Sequence, residues 1–323
     1  MQKKRPEEKP RTHTIEKSPL FRIPTLGALC RILKVKSPAS FLDLEFQLKN
    51  NPNLYYLVER RGKRDIQAPG GVLKAIQSRL FRILARIEVP AYLVSGKKGL
   101  SYVDNAKVHQ RNGLFMLSLD IKKFFSSCRR HRILQFFLYR LQTASDIANL
   151  LANLCCYQGM RLPLGSPVSQ VLSFLAYESM FNTLADFASR LGLTFTVYID
   201  DLCFSSQNRI PLDLHWEVNK ILNSYGLRIH WKKIQYRPCG QPKEITGCVV
   251  TGSQELKAPC SLKTKTVAAV HRFKNVEETE AAGLTALGLI NAVRQIVPDA
   301  FEQSRIQIRS RLKKLREAGG KAQ

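Results

Sequence analysis

The chain has 323 residues, 44% of them hydrophobic, and its 51 Lys and Arg outweigh 25 Asp and Glu to give a formal charge of +26. That composition excludes a disordered chain and is enough for a core of two or three domains or subdomains. The charge calls for a polyanionic partner, and with no run of about eighteen apolar residues to span a bilayer, nucleic acid fits better than a membrane.

The opening MQKKRPEEKPRTHT has no apolar signal-peptide core, so the expected compartment is the cytoplasm. Residues 1–18 are charged and contain proline, and are expected to form a flexible tail. Residues 20–50 read as short helices, ended by a polar Asn-Asn-Pro-Asn break. LYYLVERRGKRDIQAP reads as two strands around a basic turn. In GVLKAIQSRLFRILARI, Leu73, Ile76, Leu80, Ile83, Leu84 and Ile87 recur at helical spacing. GLFMLSLD is a strand that ends at Asp120. RILQFFLYRL and DIANLLANLCCYQG are apolar helices, and SPVSQVLSFLAYESMFNTLADFASRLG is a long helix after a Gly- and Pro-rich turn. A hairpin follows, then a helix and strand over LDLHWEVNKILNSYGLRIH. The closing SRIQIRSRLKKLREA sets Ile308, Leu312 and Leu315 on one face and cations elsewhere. A solvated surface helix is the plain alternative there. The eight cysteines make no CxxC and no zinc spacing with the six histidines, so they read as reduced thiols, mostly core filler.

The hairpin TFTVYIDDLCFSS carries the chemistry. Its apolar residues favour strands, while aspartate favours turns, so Asp200 and Asp201 belong at or beside its tip. A solvated turn that needs two polar residues fits the same stretch. Adjacent carboxylates repel, however, and make more sense beside a cation. A third carboxylate, Asp120, ends a strand eighty residues earlier. If that strand lies beside the hairpin, three carboxylates converge into a cluster able to bind two Mg²⁺ ions roughly 3.5–4 Å apart. Three unrelated surface acids remain the alternative, one that weakens binding to a polyanion.

These residues carry a family resemblance. YIDD at 198–201 resembles the YxDD motif of reverse transcriptases, and SLDIKKFF at 118–125 resembles their first catalytic motif. LPLGSPVSQ at 162–170 resembles the turn before their long palm helix. YGLRIHWKK at 225–233 resembles the later Gly-Leu-x-Ile motif with its lysine, and RDIQAP with LKAIQ, at 64–77, resembles the fingers segment. All stand in the family's order over roughly residues 50–250. Within that family the chain most resembles bacterial retron enzymes. Asn105-Ala106-x-x-His109 is similar to their NAxxH motif, and Ile245-Thr246-Gly247 sits where they carry Val-Thr-Gly. Leu164 and Gln170 depart from the usual turn, and LGxxxSQ resembles the low-fidelity enzymes of diversity-generating retroelements instead.

The resemblance implies an α+β right-hand polymerase, with a palm of antiparallel sheet flanked by helices. Residues 1–50 would be a tail and helical extension, 51–112 with part of 130–165 the fingers, 113–252 the palm, and 253–323 a helical RNA-binding thumb. Asp120, Asp200 and Asp201 would hold two Mg²⁺ ions. Lys233 would protonate the leaving pyrophosphate. Arg64 and Lys63 would meet the triphosphate, Phe125 would exclude a 2′-hydroxyl, and Gly165 would let the backbone approach primer or nucleotide. Asn105, His109, Arg309, Lys313 and Arg316 would contact RNA. Partners would be a structured noncoding RNA serving as template and primer, the DNA product, and an effector protein of a phage-defence system, with no membrane involved. The alternatives are a diversity-generating enzyme or an inactive RNA-binding scaffold.

Overall fold

The computed structural model describes residues 12–62, 64–111, 114–253 and 255–319, without the side chains of Arg61, Arg64, Ala318 and Gly319. In chain order the elements are α1 (Leu26–Leu33), α2 (Pro38–Asn50), β1 (Tyr56–Arg61), β2 (Arg64–Pro69), α3 (Gly71–Leu84), α4 (Tyr102–Val108), β3 (Phe115–Asp120), α5 (Phe124–Ser127), α6 (Arg130–Gln135), α7 (Ser145–Cys155) and α8 (Ser169–Arg190). They continue with β4 (Thr194–Tyr198), β5 (Asp201–Ser206), α9 (Leu214–Ser224), β6 (Gln235–Arg237), β7 (Lys243–Ile245), β8 (Cys248–Val250), β9 (Leu256–Lys257), α10 (Cys260–Asn275), α11 (Glu280–Ile296) and α12 (Glu302–Gly319). The architecture is α+β, as expected. β1 and β2 form an antiparallel hairpin, Tyr56 opposite Pro69. A four-stranded sheet has the order β4-β5-β3-β6, and β7-β8-β9 form a third sheet.

The chain divides into two compact units, of residues 1–99, 119–202 and 211–234 in one and 100–118, 203–210 and 235–323 in the other. In the first, Leu73, Ile76, Leu80 and Leu84 give α3 a fully buried stripe, as their spacing predicts. Phe174 and Phe181, one face of α8, stack with centroids 5.3 Å apart. Ser37 caps α2 by accepting from the Ser40 N–H, and Pro38 takes the first turn, where no donor is needed. In the second unit one core joins Val103, Met116, Cys203, Ile245, Cys248 and Val293. A second joins Phe273, Ala286, Ile290, Ile308 and Leu312 from α10, α11 and α12. Gly283 lets α11 meet α12 closely, because a Cβ there would lie 2.6 Å from Leu312.

Three expectations differ from the structure. Of the opening 1–18, residues 12–18 are not a loose tail: the His13 N–H donates to Arg86 O, and the Glu88 N–H donates back to His13 O, each at 2.9 Å. Residues 1–11 lie outside the described part. RILQFFLYRL is not one regular helix, since a π turn over Phe136–Arg140 follows α6. The strand expected in LRIH shrinks to one bridge, Ile229 with Ile121, before the chain coils at Trp231–Lys233; the Asn219 side chain takes the Ile229 N–H at 3.1 Å. The eight cysteines are free, and all but Cys239 and Cys260 are buried. Among the described residues no helix is long and apolar enough to cross a membrane.

Candidate active site

The hairpin between β4 and β5 turns in two residues, Ile199 and Asp200. Ile199 has φ of 60°, a left-handed conformation that a β-branched residue rarely adopts. It is held there by donating its N–H to Ser95 Oγ at 2.9 Å. The Ile121 N–H donates to Asp200 O at 2.9 Å, which ties the turn to the end of β3, and the His230 N–H donates to Asp120 O at 2.7 Å. These backbone bonds bring Asp120, Asp200 and Asp201 together in the first unit. Lys233 joins them, with Nζ 2.6 Å from Asp120 Oδ2. Burial raises the Asp201 carboxyl to about 6, and the charges of Asp200 and Asp120 push the same way. Such a cluster is short of positive charge, and its oxygen donors suit a hard divalent ion. Among the described residues no three acids, histidines or cysteines are already set as a metal site, and the Lys233 ammonium lies on Asp120.

Phe125 is half-buried at the start of α5, its ring 5.6 Å from that of Phe124. Phe124 is the core residue, packed edge-on against Phe181. Gly165 has φ of 114°, and a Cβ there would meet Ile66 Cγ2 at 2.8 Å and Gln67 O at 3.2 Å. The close approach it permits is therefore to β2. The Gln67 N–H donates to Leu164 O at 2.7 Å, and the Leu164 N–H to Gln67 Oε1 at 3.2 Å. Ser166 Oγ donates to Gln77 Oε1 at 2.5 Å. Gln67 and Gln77 were not singled out from the sequence. The signal was a glutamine within an apolar stripe, since Gln77 sits beside Ile76 on the buried face of α3 and is itself fully buried. β2 begins at Arg64, whose side chain is outside the description, and Lys63 lies outside the described residues.

A family model for reverse transcriptase (RNA-dependent DNA polymerase) matches residues 63–255. The chain belongs to the reverse transcriptase family. It is an RNA-directed DNA polymerase, and the matched span contains the three carboxylates, Phe125, Gly165 and Lys233. Among curated proteins it is similar to the retron Ec83 reverse transcriptase of Escherichia coli, 26% identical over 82% of this chain and 90% of that one. The retron Ec86 reverse transcriptase of the same species is 29% identical over 61% of this chain and 62% of that one. A solved structure, telomerase from Candida tropicalis in complex with a telomeric RNA fragment, aligns over 84% of this chain and 59% of that one, at 9% identity and a TM-score of 0.47.

One motif of this reverse transcriptase is placed elsewhere than expected. Asn105 and His109 do not face solvent, as an RNA contact requires; their relative exposures are 0% and 1%. Both lie on α4 and at its end, which is capped by Ser101 and Asp104 and packed into the core of the second unit. His109 Nδ1 is 2.7 Å from Ser205 Oγ on β5, and burial lowers its pKa to about 4, so it is neutral. Asn105 Nδ2 donates weakly to Thr246 Oγ1 at 3.4 Å, and Thr246 donates to Tyr102 O at 3.0 Å. Thr246 and Gly247, both with positive φ, make the two-residue turn between β7 and β8. The NAxxH and Ile-Thr-Gly motifs thus form one internal joint. In the same unit Arg309, Lys313, Arg316 and Glu317 of α12, with Leu284, Leu287 and Leu312, line a cavity of about 460 Å³. Arg316 Nε pairs with Glu280 at 2.7 Å.

Proposed function

We propose that this reverse transcriptase belongs to a retron. It copies part of a structured noncoding RNA, primed from a 2′-hydroxyl within that RNA, into branched multicopy single-stranded DNA. The product would act in the cytoplasm with an effector protein in defence against phage. The observation that supports polymerase chemistry best is the convergence of Asp120, Asp200 and Asp201, with Lys233 on Asp120. Similarity to the retron enzymes over most of the chain, together with the NAxxH and Ile-Thr-Gly motifs, supports the retron. Expressing the chain with its neighbouring DNA tests this. Single-stranded DNA that stays linked to RNA until a debranching enzyme is added is the expected product, and DNA with no linked RNA would sink the reading.

Asp120, Asp200 and Asp201 would hold two Mg²⁺ ions, which when bound activate the attacking hydroxyl and stabilise the leaving pyrophosphate. Lys233 Nζ, already at this site, would give a proton to the pyrophosphate oxygen as the bond to the α-phosphorus breaks. Lys63 and Arg64 would donate to the triphosphate. Gly165 would keep the turn after Leu164 close against β2, so that β2 and the nucleotide are held in register. Residues 51–112 with part of 130–165 would act as fingers, 113–252 as palm and 253–323 as thumb, after an extension over 1–50.

Phe125 would stand under the deoxyribose. Phe125→Ala is expected to raise ribonucleotide incorporation relative to deoxyribonucleotide, read as the ratio of kcat/KM values. An unchanged ratio would assign Phe125 to packing beside Phe124.

The cations of α12 would face RNA phosphates while Ile308 and Leu312 hold the helix to the thumb. Replacing Arg309, Lys313 and Arg316 by glutamine is expected to weaken binding of the cognate RNA. Each lost phosphate contact should lower the salt slope by about one. Extension of a pre-annealed generic primer should suffer less, and an equal loss of both activities would make the helix structural.

A further inference from the structure

The chain's two tryptophans lie together on the unit that carries the carboxylates. Trp216 is in the first turn of α9 and is 54% exposed; Trp231 opens the Trp231–Lys233 turn and is 42% exposed. Their ring centroids are 4.5 Å apart, with planes inclined at 48°. His215 completes the cluster, 5.4 Å from Trp216 and 5.9 Å from Trp231. Nothing in the polymerase reaction described above uses these rings. Two large apolar side chains left half in water are costly unless something covers them. Because each ring braces the other, they offer flat surfaces that lose little freedom when a ligand stacks on them.

The surroundings favour nucleic acid as the cover. Along Asp213–Lys233 there are four cations, Lys220, Arg228, Lys232 and Lys233, and two acids, Asp213 and Glu217. Glu217 is already paired with Lys220 at 2.6 Å. Lys220, though paired, shares the face of Trp216 one helical turn on; Lys232 follows Trp231 directly, and Lys233 beyond it is held by Asp120. The platform is also continuous with the catalytic cluster, since the turn that carries Trp231 is the one that delivers Lys233 Nζ to Asp120. Aromatic faces interleaved with lysines bind single strands through base stacking and phosphate attraction, without sequence preference. At a polymerase centre the new strand is paired as it is made. The template ahead of the copied position is the strand whose bases are still free to stack.

We propose that Trp216 and Trp231 form a stacking platform for the unpaired RNA template strand beside the carboxylate cluster. The proposal rests on that cluster being the polymerase centre, but its test needs no catalysis. The two indoles are the chain's only tryptophans, so intrinsic fluorescence of the full chain without Mg²⁺ reports on this surface. A twelve-nucleotide unstructured RNA is expected to quench it saturably, and a blunt RNA hairpin or a dNTP alone is expected not to. Trp216→Ala with Trp231→Ala should weaken that RNA, followed by anisotropy of a labelled strand, about ten- to a hundredfold. The pair of Phe substitutions should recover part of the loss, and guards against an alanine variant that fails to fold. Unchanged affinity in the alanine variant, or quenching by the dNTP alone, would overturn the platform. Tighter binding of single-stranded DNA of the same sequence would overturn the assignment to the template. Loss of self-association in the variant, with RNA affinity intact, would make the surface a contact between copies instead. Asp200→Asn run in parallel separates the two readings: if it abolishes synthesis and leaves quenching intact, the centre and the platform both stand, and if it leaves synthesis intact, the centre itself is misassigned.

Discussion

Asp200→Asn and Asp201→Asn are each expected to cut DNA synthesis by about a thousandfold or more while RNA affinity stays close to that of the parent. Each swap keeps the side chain's size and removes one charge that would hold a metal ion. The transition-state stabilisation lost is several kcal/mol, and each 1.36 kcal/mol is a factor of ten. The stability of the metal-free protein should move the other way for Asp201. Its carboxyl is held near 6 in the fold against an ordinary value of 3.8, by burial first and by Asp200 and Asp120 next. Between those two values the folded chain keeps a proton that the unfolded chain has released. Stability is therefore lost as pH rises through this window, and at pH 7.5 the full penalty is present. Removing the charge should recover on the order of 1–2 kcal/mol there, allowing for the solvent that reaches the group, and almost nothing at pH 4. Melting temperatures at the two pH values, without Mg²⁺, measure this. An Asp201→Asn variant that polymerises normally, or one less stable than its parent at pH 7.5, would remove Asp201 from the cluster.

The carboxylate cluster was legible because its determinants are local. Asp200 and Asp201 interrupt a run of strand-forming residues, and Asp120 ends another, so the turn and the strand end announce themselves. What was not legible was what the chain does to hold them. The left-handed Ile199 is invisible in a sequence, since isoleucine favours strands; it depends on the Ser95 hydroxyl, more than a hundred residues away. The same limit explains Asn105 and His109. Their RNA contact was implied by the resemblance alone, and their burial depends on partners as distant as Thr246 and Ser205. The helices were read well wherever an apolar stripe repeats, as in α3 and α12. RILQFFLYRL also has a polar face, with Arg132, Gln135 and Tyr139 at helical spacing, and its π turn leaves no trace in that pattern. LRIH alternates as a strand should, yet it makes a single bridge before the chain coils at Trp231–Lys233.

Gly165→Ala should cost both the fold and the chemistry. The residue's φ of 114° is a conformation that residues with a Cβ rarely enter. The added methyl would sit 2.8 Å from Ile66 Cγ2 and 3.2 Å from the Gln67 carbonyl oxygen, and that oxygen belongs to the backbone of β2, which cannot swing aside as a side chain does. Backbone strain of this kind costs about 1–3 kcal/mol, and overpacking adds a similar amount. Relief would come by pushing the turn away from β2, at the expense of the Gln67 N–H bond to Leu164 O and the Leu164 N–H bond to Gln67 Oε1. β2 begins at Arg64, so slackening this joint should loosen the strand that would present the triphosphate donors. The expected result is a melting temperature lowered by several degrees, together with a rise in the KM for dNTP larger than the fall in kcat. Gly62→Ala is the control. Its φ of 63° carries backbone strain as well, but an added Cβ has nothing within 4 Å, so it tests strain without the clash. If Gly165→Ala melts like its parent and keeps its KM, the joint between turn and strand does not position the nucleotide.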